Sequence, residues 1–154
     1  MKFVAREDIA APIEEVYAVL TDFEAMERAA MRRGAEVQRT DTLTQPGPGM
    51  AWEARFKFRG KERAVQTELA QMTPPEVIGL KSTVGGLHGL TAVDLVPLSP
   101  KQTRLSVAIE LKPDSMPARV FLQSLRLAKG KLSQRFDKAL RKFGRDLESG
   151  RFSK

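Results

Sequence analysis

Cysteine is absent from the 154 residues. That removes a disulfide framework, a thiol nucleophile and any thiolate metal site. Histidine, tryptophan and tyrosine occur once each. A metal site would therefore have to be built from carboxylates and His88, and no acidic cluster has ligand spacing. No metal and no cofactor is expected. A phosphate-cradling loop is also missing, because Gly85-Gly86-x-x-Gly89 falls between two predicted strands rather than between a strand and a helix. No serine sits in a nucleophile motif. No apolar run approaches the length of a membrane span. The first eight residues, Met1 to Asp8, carry acids where a secretory signal needs an apolar stretch. Together with the missing cysteines, this points to a cytoplasmic protein.

What is present is a soluble composition. Hydrophobic residues make up 42% and charged residues 29%, so the chain can bury a core and is not disordered. Its length suits a single domain, residues 1–154. The net charge of +7 favours anionic partners, or serves solubility alone.

The hydrophobic pattern changes period along the chain. Lys2 to Ile9 reads as a strand, and Pro12 opens a short helix in which Ile13, Val16, Tyr17 and Leu20 share one face. Asp22 is placed to cap a second short helix from Phe23 to about Arg32, which Gly34 ends. Then follow about six strands: Ala35–Leu43, Met50–Phe58, Glu62–Gln71, Val77–Thr83, Leu87–Val96 and Arg104–Leu111. Short turns join them, which implies an antiparallel meander. From Pro117 to Leu147 the period returns to that of a helix. Phe121, Leu125, Ala128, Leu132, Phe136, Ala139, Phe143 and Leu147 lie on one stripe. Roughly 30 residues give a rod on the order of 45 Å. Such a helix needs a broad surface to lie on, and the sheet needs its apolar face covered. The expectation is an α+β fold in which a curved antiparallel sheet of about seven strands, in the order β-α-α-β6-α, wraps around a long C-terminal helix.

The stretch Ile9-x-Ala11-Pro12-x-x-x-Val16-Tyr17-x-x-Leu20-x-Asp22-Phe23 resembles the opening signature of the START-like (SRPBCC) superfamily. Asp94-Leu95-Val96-Pro97 followed by Thr103-Arg104-Leu105 is similar to the last hairpin of that group. The resemblance covers essentially the whole chain. It implies the helix-grip fold with a hydrophobic cavity between sheet and helix. Members bind lipids, sterols, polyketides or quinones, and some catalyse cyclisation or dehydration. The signature residues are structural, so the resemblance assigns no catalytic residue.

The expected function is non-covalent binding, or transport, of a small hydrophobic ligand such as a lipid, isoprenoid or polyketide. The expected lining is Tyr17, Trp52, Phe56, Phe58, Val65, Thr67 and Val107 from the first helix and the sheet. Phe121, Leu125, Ala128 and Leu132 complete it from the N-terminal half of the long helix. Tyr17, Arg63 or Thr67 would orient the ligand. Core packing is the competing explanation for each residue taken singly. The alternative is a polyketide cyclase/dehydratase-type enzyme in the same cavity, which needs His88, Glu53 or Arg63 to point inward. Strand alternation places His88 outward. The outer face of the long helix carries Arg119, Arg126, Lys129, Lys131, Arg135, Lys138, Arg141, Lys142 and Arg145. This face suits an anionic membrane, a protein partner engaged through Arg135, Lys138 and Lys142, or simple solvation. Nucleic acid fits worst, because no aromatic residues interleave with the cations.

Overall fold

The computed structural model describes residues 1–152. Strand β1 (Lys2–Ile9) is followed by helices α1 (Ile13–Leu20) and α2 (Phe23–Arg32). Six strands come next: β2 (Glu36–Arg39), β3 (Ala51–Phe58), β4 (Lys61–Thr73), β5 (Val77–Val84), β6 (Leu87–Ser99) and β7 (Gln102–Pro113). Helices α3 (Met116–Leu127) and α4 (Lys129–Glu148) end the chain. The seven strands form one antiparallel sheet in the order β1-β7-β6-β5-β4-β3-β2. This is the expected curved helix-grip sheet. Only β1 and β7 pair across a long sequence separation; every other neighbour is a hairpin partner, as the short turns dictate.

Pairing register decides which side chains share a face. Trp52 lies opposite Thr67, Thr67 opposite Ser82, Ser82 opposite Gly89, and Gly89 opposite Leu111. Leu69, Leu80, Thr91, Ile109 and Phe3 make the adjacent row on the same face. This inner face is the one the helices cover. Two separate apolar clusters form beneath them. The larger includes Ile9, Val16, Tyr17, Leu69, Leu95, Leu105 and Leu147, with Leu140 and Phe143 packed against it. The smaller is Leu87, Ala118, Leu122 and Leu125, with Phe121 and Leu132 against it.

The expected single rod from Pro117 to Leu147 is divided in two. At Ala128 the backbone leaves helical geometry (φ −100°, ψ 8°), and its N–H donates to Leu125 O at 3.0 Å, one residue short of the α-helical step. The reason is the sheet. Helix α3 packs on β6 and β7, and α4 on β1. A twisted sheet presents those strands at different angles, so a straight rod cannot lie flush on both. Leu125 and Leu132 near the break, and Phe143 and Leu147 beyond it, keep the inward side expected of the stripe. Ala139, expected inward, is exposed, while Leu140 and Gly144 turn toward the core. At Gly144 the helix crosses β1 so closely that a Cβ there would lie 3.1 Å from Glu7 Cγ and 3.3 Å from Ile9 Cγ1. A side chain there would require Glu7 and Ile9 to give way by a few tenths of an ångström.

Two smaller features follow from side-chain chemistry. Strand β2 stops at Arg39 rather than reaching Leu43. Just beyond it, the Asp41 carboxylate accepts from Leu43 N (2.9 Å), Ala51 N (2.8 Å) and the Arg39 guanidinium (2.6 and 2.7 Å). It gathers donors that would otherwise extend the ladder. Asp22 caps α2 as its position predicts, accepting from Ala25 N at 3.2 Å.

Candidate functional site

An apolar cleft of about 380 Å³ opens on the inner face of the sheet. Its floor is Trp52 and Ala54 from β3, Thr67 from β4, Ile78 and Leu80 from β5, and Val93 from β6. Its wall comes from Leu20 at the end of α1, from Phe23, Met26, Glu27 and Ala30 of α2, and from Val37 of β2. The sequence sets this arrangement up locally. Strand alternation sends every second residue of β3 to β6 inward. The Asp22 cap then orients α2 so that Phe23 meets the sheet. Phe23 packs on Trp52 with ring centroids 5.4 Å apart, and the Arg39 guanidinium lies 5.6 Å over the same indole.

The floor carries little polarity. Thr67 Oγ1 and Ser82 Oγ share a hydrogen bond of 3.0 Å. The indole Nε1–H of Trp52 is buried and has no acceptor among the described residues. Glu27 is the single carboxylate in the lining.

Of the residues expected to line a pocket, the structure brings Trp52 and Thr67 to this cleft. Val65 shares their face, half-buried. Tyr17 is buried beside it, but its hydroxyl donates to Val77 O at 3.2 Å and holds α1 to β5; burial also pushes the Tyr17 pKa up. Val107 packs against the larger core cluster. Leu125 is sealed in the smaller cluster, with Phe121 and Leu132 beside it, and Ala128 forms the helix break. These helix residues do not reach the cleft. The residues that do, Leu20, Phe23, Met26 and Val37, lie in segments that read as short helices and an edge strand. Their amphipathic spacing was visible, but the sheet region they would face was not.

Phe56, Phe58 and Phe121 belong to the other end of the molecule. Phe58 meets Phe121 edge to face, with centroids 6.2 Å apart at 85°. The Arg63 guanidinium lies 4.9 Å from the Phe121 ring and 5.7 Å from Phe58. Arg59 covers the same pair at 5.9 and 5.4 Å and donates from Nη1 to Ser124 Oγ at 2.9 Å. Positive φ at both Arg59 (54°) and Gly60 (77°) makes the tight hairpin turn that aims Arg59 at α3. Two cations and two aromatic rings thus clasp the β3–β4 turn to α3.

Of the three candidate acid–base residues, two face away from the cleft. His88 is exposed on the outer face and paired with Asp114. Glu53 is also on the outer face. Its carboxylate accepts from Gln66 at 3.0 Å and Arg55 at 2.9 Å, which lower its pKa. Arg63 is on the inner face but holds its charge over the aromatic pair. Among the described residues, no group of His, Asp and Glu has the geometry to hold a metal ion, and no helix is long and apolar enough to cross a membrane.

Comparisons with known proteins agree with this architecture. A family model described as polyketide cyclase / dehydrase and lipid transport matches residues 1–148. No curated protein matches the chain. Among solved structures, TTHA0849 from Thermus thermophilus is 14% identical with a TM-score of 0.69, covering 97% of this chain and 99% of its own. The Zhui aromatase/cyclase from a Streptomyces species is 15% identical with a TM-score of 0.66, covering 95% and 94%. DR_A0006 from Deinococcus radiodurans is 16% identical with a TM-score of 0.63, covering 97% and 99%. At these identities the likeness is one of fold.

Proposed function

The chain belongs to the polyketide cyclase/dehydrase and lipid-transport family, and from that premise we propose that it binds a small hydrophobic molecule non-covalently in the cleft beneath α2. A lipid, an isoprenoid or a polyketide-like compound has the right chemistry. The observation that carries this reading is the cleft itself. Its volume of about 380 Å³ falls in the range of small-molecule sites, roughly 300–1,000 Å³, and its walls are almost wholly apolar. A ligand burying about 200 Å² of apolar surface there gains roughly 5 kcal/mol before ordering costs. Thr67, its hydroxyl paired with Ser82, supplies the polar contact that orients it. Displacement of a fluorescent fatty acid from the purified protein, with native mass spectrometry of the complex, tests the proposal. One-to-one displacement that L80W abolishes supports it. A protein that binds no lipid, isoprenoid or aromatic polyketide probe refutes it.

A second reading, a cyclase/dehydratase, has one observation in its favour: Glu27 is a carboxylate in the wall of an otherwise apolar cleft. Such an enzyme would move a proton through that group. Turnover of a polyketide substrate lost in E27Q, with ligand binding retained, is the result that supports it. Turnover unchanged in E27Q removes Glu27 from that role.

A further inference from the structure

Helix α3 has two apolar faces, and the fold uses one of them. Ala118, Leu122 and Leu125 are buried against the sheet. On the opposite side Met116 is 69% exposed, Val120 60% and Leu127 93%. At about 100° per residue, positions 116, 120 and 127 fall within about 40° of one another. They form one stripe in solvent. The break at Ala128 puts Leu127 on the outside of the corner between the two helices.

The surroundings of this stripe are cationic. From Met116 to Phe136 the chain holds five cations, Arg119, Arg126, Lys129, Lys131 and Arg135, and no acid. Arg119 and Arg126 flank the stripe on one side and have no carboxylate partner among the described residues. They also line a cleft of about 510 Å³ between α3 and the end of β7, together with Lys112, whose ammonium meets Glu110 at 3.3 Å.

We propose that the outer face of α3 docks on an anionic phospholipid bilayer, with Met116, Val120 and Leu127 entering the acyl boundary and Arg119, Arg126 and Lys112 taking lipid phosphates. An apolar stripe edged by cations is the pattern of an interfacial helix. A second copy of this chain fits less well. An antiparallel two-fold pairing of the stripe would set Arg119 and Arg126 against their counterparts in the other copy. The docking face narrows the basic face read from the sequence, Arg119 to Arg145, to its α3 end, and adds the apolar stripe that the sequence reading left out. The inference is independent of the ligand cleft, so either can fail without the other.

Co-sedimentation of the full chain with vesicles decides it, using phosphatidylcholine alone and phosphatidylcholine mixed with phosphatidylglycerol. The expected result is binding to the mixed vesicles that salt weakens, and little binding to the neutral ones. V120E/L127E should lose at least tenfold in partition. R119Q/R126Q should lose roughly fivefold per cation removed. All four side chains are exposed, so circular dichroism and the thermal midpoint should match the parent. Equal binding to neutral vesicles, no binding to either, or unchanged binding by V120E/L127E overturns the proposal. A dimer in sedimentation velocity that V120E/L127E dissolves overturns it in favour of a second copy.

Discussion

The two ends of the inner sheet face are covered by helices in different ways. Where α4 crosses β1 at Gly144, the contact is close and the residues beneath it are sealed: Ile9, Leu105 and Thr103 are fully buried, and Thr103 Oγ1 donates to Ala11 O at 2.8 Å. Under α2 the contact is loose. Leu80, Thr67 and Ala54 remain half-buried, and the cleft opens there. Both regions belong to one sheet, and residues of the same types point inward in both. The difference is the approach distance of the helix. A glycine lets α4 close onto the strand, whereas the Phe23 ring stands between α2 and Trp52 of the sheet.

This comparison is open to direct attack. The largest expected effect is at the sealed end. L105A should cost about 3 kcal/mol of unfolding free energy by urea titration, since the site has no freedom to collapse. L80A in the cleft should cost about 1 kcal/mol or less, because its side chain already faces open space. Equal costs would mean that the cleft is not open in solution. Next, L80W should fill the cleft and weaken ligand binding by at least tenfold, with stability changed by under about 1.5 kcal/mol. A tryptophan there that leaves affinity intact would move the binding site elsewhere. Y17F removes the hydrogen bond from α1 to the Val77 carbonyl at the boundary between the two regions. It should cost about 1 kcal/mol in the same titration and leave ligand affinity nearly unchanged, because the hydroxyl is already engaged.

The smallest effect at neutral pH concerns the rim. Arg39 and the N–H groups of Ala51 and Leu43 hold the Asp41 carboxyl well below its ordinary 3.8. The folded state therefore binds the Asp41 proton less tightly than the unfolded chain does. Its contribution to stability is fully present above the unfolded value and is lost as pH falls through the folded one. Unfolding midpoints should be flat with respect to Asp41 from pH 5 to 8 and should drop in acid. In D41N the part of that acid drop due to Asp41 should disappear. An unaltered acid limb in D41N would show that the β2–β3 clamp does not contribute to stability.

Much of this molecule was legible before its structure was in view. Alternation in Met50–Phe58 and Arg104–Leu111 assigned inner and outer faces, and β3 and β7 keep them. The Asp22 cap, the outward His88 and the strand–helix–helix–strand order follow from local chemistry. The candidate site was less legible. Phe121, Leu125, Ala128 and Leu132 have pocket-like chemistry and helical spacing, but their positions depend on where α3 meets the sheet. Leu20, Phe23 and Met26 read as ordinary core, and nothing in their spacing tells which strands they oppose.

The division has a physical basis. Sequence alone determined the elements, because periodicity, caps and turn residues act over a few neighbours. The fold family was legible too, through the likeness of Ile9–Phe23 and of Asp94–Leu105 to the START-like signature. Tertiary structure decided the rest. The C-terminal stripe that reads as one rod became two helices, since a twisted sheet cannot be followed by a straight one. The cleft came to lie beneath α2 rather than beneath the C-terminal helices. Such outcomes depend on angles between distant strands, and those angles are a property of the whole sheet.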